Sequence, residues 1–379
     1  MLFGERQEYL DSIGVRYVHL CSNFSFGALD KPERLSLRSE MLKQVVNEVR
    51  NGKPVRICGQ HGMGKTSMFS QVAESLGLDA FYLNLYLIKS IKSDEAIREL
   101  RKFFEQKNVK HEVMDDDVLA CPDGVLGCLN DVCTRENLTM IVGLDELFGL
   151  DRASLGSLVK AAKRLKSLRF VFLDHPISDD QYRNQLFGKM PTFYLPPLSQ
   201  EEAARLIRHS LAATNLTITD EAMMVLYDLT AGRPCEIVAV LNMLFCDNFW
   251  NVFWEERAFQ QFFENKEITA NSLSAIKDEI ACHCFTNEQI FIYSVKFGAN
   301  FKKLSPKEAC LLLRLADGGP PLKSQKPQVK TLERLGLIIR DDGYWCINGQ
   351  LLEEVLSFIL KDQSYMDYYF RREIVRKFF

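Results

Sequence analysis

Gly59-Gln60-His61-Gly62-Met63-Gly64-Lys65-Thr66 fits G-x-x-x-x-G-K-[ST] at every fixed position. Glycines at these points let backbone N–H groups close around a β-phosphate, and the start of a following helix adds partial positive charge. The flanks agree with that layout. Val55-Arg56-Ile57-Cys58 is a short β-like run, and residues 66–76 continue as a helix with Phe69, Val72 and Leu76 on one face. The stretch therefore predicts a strand, a phosphate loop and a helix, with Lys65 on the β- and γ-phosphates and Thr66 on Mg²⁺. Gly59, Gln60, His61, Gly62, Met63, Gly64, Lys65, Thr66 and Ser67 form the expected nucleotide-binding set.

A phosphate loop needs an acidic element at the end of a buried strand to complete the magnesium site. Thr139-Met140-Ile141-Val142-Gly143-Leu144-Asp145-Glu146 supplies it. Asp145 is expected to join the magnesium shell through water, and Glu146 to orient or deprotonate an attacking water. No Asn-Lys-x-Asp guanine-reading stretch follows, which favours ATP. Residues 80–85, 169–173 and 192–195 are further strand candidates, separated by helical stretches. The pattern predicts an α/β fold with a mostly parallel, buried sheet whose carboxyl strand ends hold the nucleotide.

Over 379 residues, 47 Lys plus Arg against 50 Asp plus Glu leave a net charge of −3, with 47% hydrophobic and 26% charged residues. This is globular composition and argues against wholesale disorder or a chain coated in one charge. At about 150 residues per domain the length suggests two or three domains. Eleven scattered cysteines do not form a disulfide framework and suit a reducing cytosol, so cytoplasmic localisation is expected. Neither Cys282-His283-Cys284 nor the group Cys121, Cys128, Cys133 has the paired C-x₂-C spacing of a zinc site. The first ten residues carry Glu5, Arg6 and Glu8 and lack the apolar core of a signal peptide. Residues 237–254 have the length of a membrane span but contain Asn242, Asp247, Asn248 and Asn251, so they read as a buried soluble helix. No membrane partner is expected.

From about Pro32 onward the chain resembles the AAA+ ATPases, in particular the group of archaeal origin-recognition initiators and the related STAND-type archaeal ATPases. Leu37-Arg38-Ser39-Glu40-Met41-Leu42 is similar to the R-x-x-E-L helix that family members place beside the adenine, with the Ser-Glu one position early. Leu195-Pro196-Pro197-Leu198-Ser199-Gln200-Glu201-Glu202-Ala203 is similar to the junction between sheet and helical lid, and Ser199 with Glu202 is a capping box in its own right. Leu229-Thr230-Ala231-Gly232-Arg233-Pro234 resembles the turn that opens the sensor-2 helix. The resemblance implies ATP hydrolysis with Glu146, Lys65 and Arg233 as catalytic groups, Arg233 on the γ-phosphate, Arg38 near the adenine, and Asp174 or His175 in the sensor-1 position. An arginine finger falls among Arg152, Arg164 and Arg183, or is lacking if the chain belongs to the STAND side.

Phe245, Phe249, Phe253, Trp250, Trp254, Phe259, Phe262 and Phe263 recur at helical spacing, the pattern of a core seam, and account for much of the count of 26 Phe. Beyond residue 269, Ser305-Pro306-Lys307-Glu308 is a capping box with Pro at the first helical position. A second helix over residues 328–335 and two strands joined by Asp342-Gly343 follow, and this order looks like the winged helix that the initiators carry here. Between Lys296 and Arg340 ten basic residues face three acidic ones, a segment of +7 in a chain that is otherwise −10. A basic recognition helix fits the phosphate backbone of double-stranded DNA, with Lys323, Lys326, Lys330 and Arg334 as the expected contacts. The alternative is a solvated face through which a STAND-type switch meets a protein partner or effector; a homo-oligomer fits either reading. The tail, residues 363–379, mixes aromatic and basic residues and suits docking on the fold or on a neighbouring subunit, or stacking on nucleic acid. The expected division is an extension (residues 1–31), an AAA+ nucleotide-binding domain (32–198), a helical lid (199–268), a winged helix (269–362) and that tail.

Overall fold

The structure, a computed structural model, describes residues 37–85, 122–147, 150–175, 185–212, 214, 216–245, 257–278, 280, 301, 304–361 and 370. Within that set, one unit spans Arg38–Gly59 and Lys65–Leu195, and a second takes the described part of Pro196–Phe379 together with Leu37 and Gln60–Gly64. Residues 1–31, the tail other than Phe370, Cys21, Cys121, Arg183, Cys246, Phe249, Trp250, Phe253, Trp254, Cys282, His283, Cys284, Lys296, Lys302 and Lys303 lie outside the described residues, as do the side chains of Phe245 and Phe259.

The first unit runs α1 (Ser39–Arg50), β1 (Val55–Cys58), α2 (Lys65–Leu76), β2 (Asp79–Asn84), α3 (Pro122–Arg135), β3 (Met140–Asp145), α4 (Arg152–Arg164), β4 (Leu168–Asp174) and β5 (Thr192–Tyr194). The strands lie in the order β2-β3-β4-β1-β5 and every pairing is parallel. All six residues of β3 and all four of β1 are buried, as expected for central strands covered on both faces. Alternation divides β3 and β4 between the two faces. Met140, Val142, Leu144, Phe170 and Phe172 join one core with Leu126 and Leu129 of α3 and Leu155, Leu158 and Val159 of α4. On the other face Gly143 leaves room for the Phe69 ring of α2, which would stand 2.9 Å from a Cβ at that position. The α/β class and parallel sheet expected from the sequence are those of the structure.

The second unit continues with α5 (Gln200–Leu211), β6 (Thr217–Ile218), α6 (Asp220–Thr230), α7 (Pro234–Phe245), α8 (Arg257–Glu264), β7 (Glu267–Ile268), α9 (Ala270–Ala275), α10 (Pro306–Ala316), a 3₁₀ turn (Lys323–Gln325), α11 (Lys326–Arg334), β8 (Ile338–Asp341), β9 (Tyr344–Ile347) and α12 (Gln350–Lys361). Both predicted capping boxes are made: Ser199 and Glu202 exchange bonds of 3.3 and 3.0 Å, and Ser305 and Glu308 bonds of 3.3 and 2.8 Å. One core runs through the unit, from Leu206, Leu226 and Ile237 to Leu312, Leu332 and Leu352. Phe262 and Phe263 are buried in it, as a core seam requires. β8 and β9 pair antiparallel across Asp342 and Gly343, whose φ values of 43° and 87° make the Asp-Gly turn that a two-residue hairpin favours. Of the helix predicted for residues 237–254, the part up to Phe245 lies in α7, and residues 246–254 lie outside the described residues.

Candidate functional site

β1 sits between β4 and β5, so the loop leaves from the middle of the sheet, and the Gly59 N–H donates to the Asp174 carbonyl at 3.1 Å. At the loop's tip Gly62 has φ 77°, and a Cβ added there would lie 2.4 Å from Cβ of Cys235 at the start of α7. Glycine is needed twice over at this position, for the left-handed backbone and for the close approach.

Lys65 is buried at the start of α2, and its Nζ donates to the Gly59 carbonyl at 2.9 Å, spanning the loop from within. Burial lowers its pKa, while Asp145, Glu146 and Asp174 pull the other way. Thr66 Oγ1 donates to Oδ2 of Asp145 at 3.3 Å. The Tyr82 hydroxyl, reaching over from β2, donates to that same oxygen at 2.6 Å, and the Glu146 N–H donates to Oδ1 at 2.7 Å. Glu146 itself has φ 58°, a left-handed conformation that costs a non-glycine residue on the order of 1–3 kcal/mol and that clusters at active sites. A hydroxyl and a carboxylate at the junction of strand end and helix start are hard oxygen donors of the kind Mg²⁺ takes. The residues present thus fit the ion.

Asp174 shares its sheet face with Phe170 and Phe172, and on that face it meets Arg56 of β1. Nε and Nη2 of Arg56 donate to Oδ2 of Asp174 at 2.9 and 2.6 Å, and the guanidinium lies 4.6 Å from the centre of the Phe187 ring. The Asp174 carboxylate is therefore engaged in a buried ion pair. His175 faces the acidic motif, with Nε2 3.6 Å from Oε2 of Glu146.

Arg233, the expected γ-phosphate contact, makes its described contacts within its own unit. It is 2% exposed, and its guanidinium is ion-paired with Glu236 one turn along α7 and donates to the carbonyls of Gly336 at 3.2 Å and Asn348 at 2.7 Å. Those carbonyls lie just before β8 and just after β9, so the side chain grips the base of the hairpin within its own unit. Arg38 is half-buried with φ 56° just before α1. Lys323, Lys326, Lys330 and Arg334 are all exposed, and among the described residues the first three form no ion pair.

The structure thus brings Lys65, Thr66, Asp145 and Glu146 to one corner of the sheet unit. Sequence reasoning missed Tyr82, Arg56 and Glu236. An arginine inside a wholly apolar strand, and an Arg–Glu pair at i,i+3, were signals available for two of them.

No protein-family profile matches the sequence, and no curated protein matches it. Among solved structures, the Walker-type ATPase PABY2304 of Pyrococcus abyssi is similar over 88% of this chain and 99% of that one, at 14% identity and a TM-score of 0.55. The RuvB Holliday junction branch migration motor of Thermotoga maritima matches over 82% of this chain and 92% of its own, at 12% identity and a TM-score of 0.44. The first likeness agrees with the parallel five-stranded sheet in giving the first unit a P-loop NTPase fold.

Proposed function

We propose that the chain binds and hydrolyses ATP with Mg²⁺ as an AAA+ protein, and that its nucleotide state controls binding to double-stranded DNA. The observation that carries the reading is the meeting of Lys65, Thr66, Asp145 and Glu146 at the carboxyl ends of parallel strands. Lys65 exchanges its bond with the Gly59 carbonyl for phosphate oxygens, which offset the cost of keeping its ammonium buried. Thr66, and Asp145 through water, would hold the metal, which would neutralise charge on the phosphates. Glu146 takes the proton of the attacking water or aims that water at the γ-phosphorus. Gln60, His61, Met63 and Ser67 belong to the loop's nucleotide contacts, and Arg38 to the adenine side. Lys65→Ala is expected to weaken ATP binding by at least about tenfold, the loss of one charge-assisted contact of ~1.5–3 kcal/mol. Fluorescent-nucleotide titration measures it; unchanged affinity would remove the loop from the site.

The DNA half of the reading rests on α11 and the turn before it. Lys326, Lys330 and Arg334 recur at helical spacing on an exposed face, with Lys323 at the preceding turn. We read the helices and hairpin of residues 304–361 as belonging to a winged helix over residues 269–362 that follows a helical lid over residues 199–268. Replacing Lys326 and Lys330 by Glu is expected to weaken duplex binding and flatten its salt dependence by about one log–log unit for each phosphate no longer neutralised. An unaltered slope in a gel-shift salt series would sink the DNA reading.

One observation favours a protein partner instead. The hairpin tip carries Asp341 and Asp342, and its outward face shows Tyr344 at 75% and Ile339 at 48% exposure, an acidic and apolar surface. On that reading ATP drives assembly with an effector or with further copies, as in a STAND-type switch, and light scattering would show a nucleotide-dependent mass without DNA. Among the described residues no helix is long and apolar enough to cross a membrane, and we place the activity in the cytoplasm.

A further inference from the structure

Tyr82 belongs to neither the phosphate loop nor the acidic strand, yet its hydroxyl makes a 2.6 Å bond to the carboxylate at the centre of both. The placement follows from the register. β2 pairs with β3 in parallel, with Tyr82 opposite Gly143 and Asn84 opposite Asp145, so Tyr82 and Asp145 project from the same face. Gly143 carries no side chain, and the space beside it takes the Phe69 ring of α2, whose centre lies 6.2 Å from that of Tyr82. Packed in this way, the Tyr82 ring carries its hydroxyl past the glycine to Oδ2 of Asp145, the oxygen that also accepts from Thr66.

The Tyr82 hydroxyl is the donor in this bond, since a carboxylate oxygen accepts. With Oδ2 held by Tyr82 and Thr66, and Oδ1 held by the Glu146 N–H, both oxygens of Asp145 are fixed. A carboxylate on a free rotor would lose orientational freedom on meeting an ion; this one has already lost it.

We infer that Tyr82 is a positioning residue of the metal site, one that orients Asp145 for capture of the divalent cation and takes no part in gripping the nucleotide. The inference rests on the nucleotide-binding reading above and deepens it. Outer groups that orient metal-holding side chains set metal affinity, and their removal costs about 10–100-fold. Tyr82 adds no charge and no metal bond, so its removal changes how well Asp145 is aimed while leaving the phosphate loop intact.

The test uses the full chain with two variants, Tyr82→Phe, which removes only the hydroxyl, and Tyr82→Leu, which removes the ring as well. Fluorescent ADP is titrated in EDTA, and Mn²⁺ binding to the ADP-bound protein is then followed by electron paramagnetic resonance. Tyr82→Phe is expected to bind ADP in EDTA as the parent does and to hold Mn²⁺ about 10–100-fold more weakly. Tyr82→Leu should show at least the same metal loss. Parental Mn²⁺ affinity in Tyr82→Phe, whatever Tyr82→Leu does, overturns the inference, because the hydroxyl would then not set the metal affinity. A weakened EDTA titration for Tyr82→Phe also overturns it, since the residue would be supporting the loop. If the parent chain itself fails to bind ADP, the nucleotide reading falls and takes this inference with it; if the parent binds and responds to Mn²⁺ while Tyr82→Phe matches it, only the inference falls.

Discussion

Glu146→Gln is expected to bind ATP as tightly as the parent chain and to release phosphate at least about a hundredfold more slowly, the contribution typical of a positioned general base. The substitution keeps the shape of the side chain and removes its capacity to take a proton. The backbone argues that the effect is local. Glu146 holds φ 58°, and its N–H is bonded to Oδ1 of Asp145, an interaction the side-chain change leaves alone. Glutamine carries the same conformational cost as glutamate there, so stability should move little. His175 provides an internal contrast. It lies 3.6 Å from the Glu146 carboxylate, and if His175 were the base, Glu146→Gln would retain much of its turnover. Phosphate release and nucleotide affinity measured on the same preparation decide it: parental turnover in the variant would remove Glu146 from the chemistry, and near-zero rates in both chains would leave a nucleotide-binding scaffold.

The second large effect is on stability. Arg233→Ala leaves the Glu236 carboxylate, 0% exposed, without its guanidinium, and leaves the Gly336 and Asn348 carbonyls without that donor. Breaking a buried ion pair from one side costs about 3–5 kcal/mol. In a chain of this size that corresponds to a melting point lower by about 5 °C. Glu236→Ala should cost a similar amount. The double change to apolar residues of similar volume, Arg233→Met with Glu236→Met, is expected to recover a large share of the loss, because no buried charge is left alone. A fall of under about 1 kcal/mol for Arg233→Ala in denaturant unfolding would show that the arginine is not held as the structure has it. The same variant separates this role from a γ-phosphate sensor, which would lower turnover and leave the melting point where it was.

What the sequence reveals and what it withholds divide along chain separation. The phosphate loop, the two capping boxes and the Asp342-Gly343 turn are local devices whose partners lie within a few residues, and each is found as written. The acidic strand is legible because a run of buried apolar residues ending in Asp145 has few other uses. The place of Asp174 at the end of β4 suggests a sensor, but its carboxylate meets an arginine 118 residues earlier in the chain. Position suggests a sensor for Arg233 in the same way, while two of its partners lie 103 and 115 residues downstream. In the sequence Tyr82 is one more aromatic in a strand, and only the register puts it beside Asp145. Spacing shows what a side chain can do; which neighbour it meets across the sheet depends on pairing that no short window contains.

The position of β2 in the strand order has a dynamic consequence. Among the described strands it is terminal, hydrogen-bonded to β3 alone. Terminal strands open at lower free energy than central ones, and they do so without global unfolding. An opening of β2 of this kind would withdraw the Tyr82 hydroxyl from Asp145. If Tyr82 aims Asp145 as proposed, the hold on a divalent ion would then follow the opening of this sheet margin. Amide exchange along residues 79–84, with and without the divalent ion, would register that tie as protection gained at the rim.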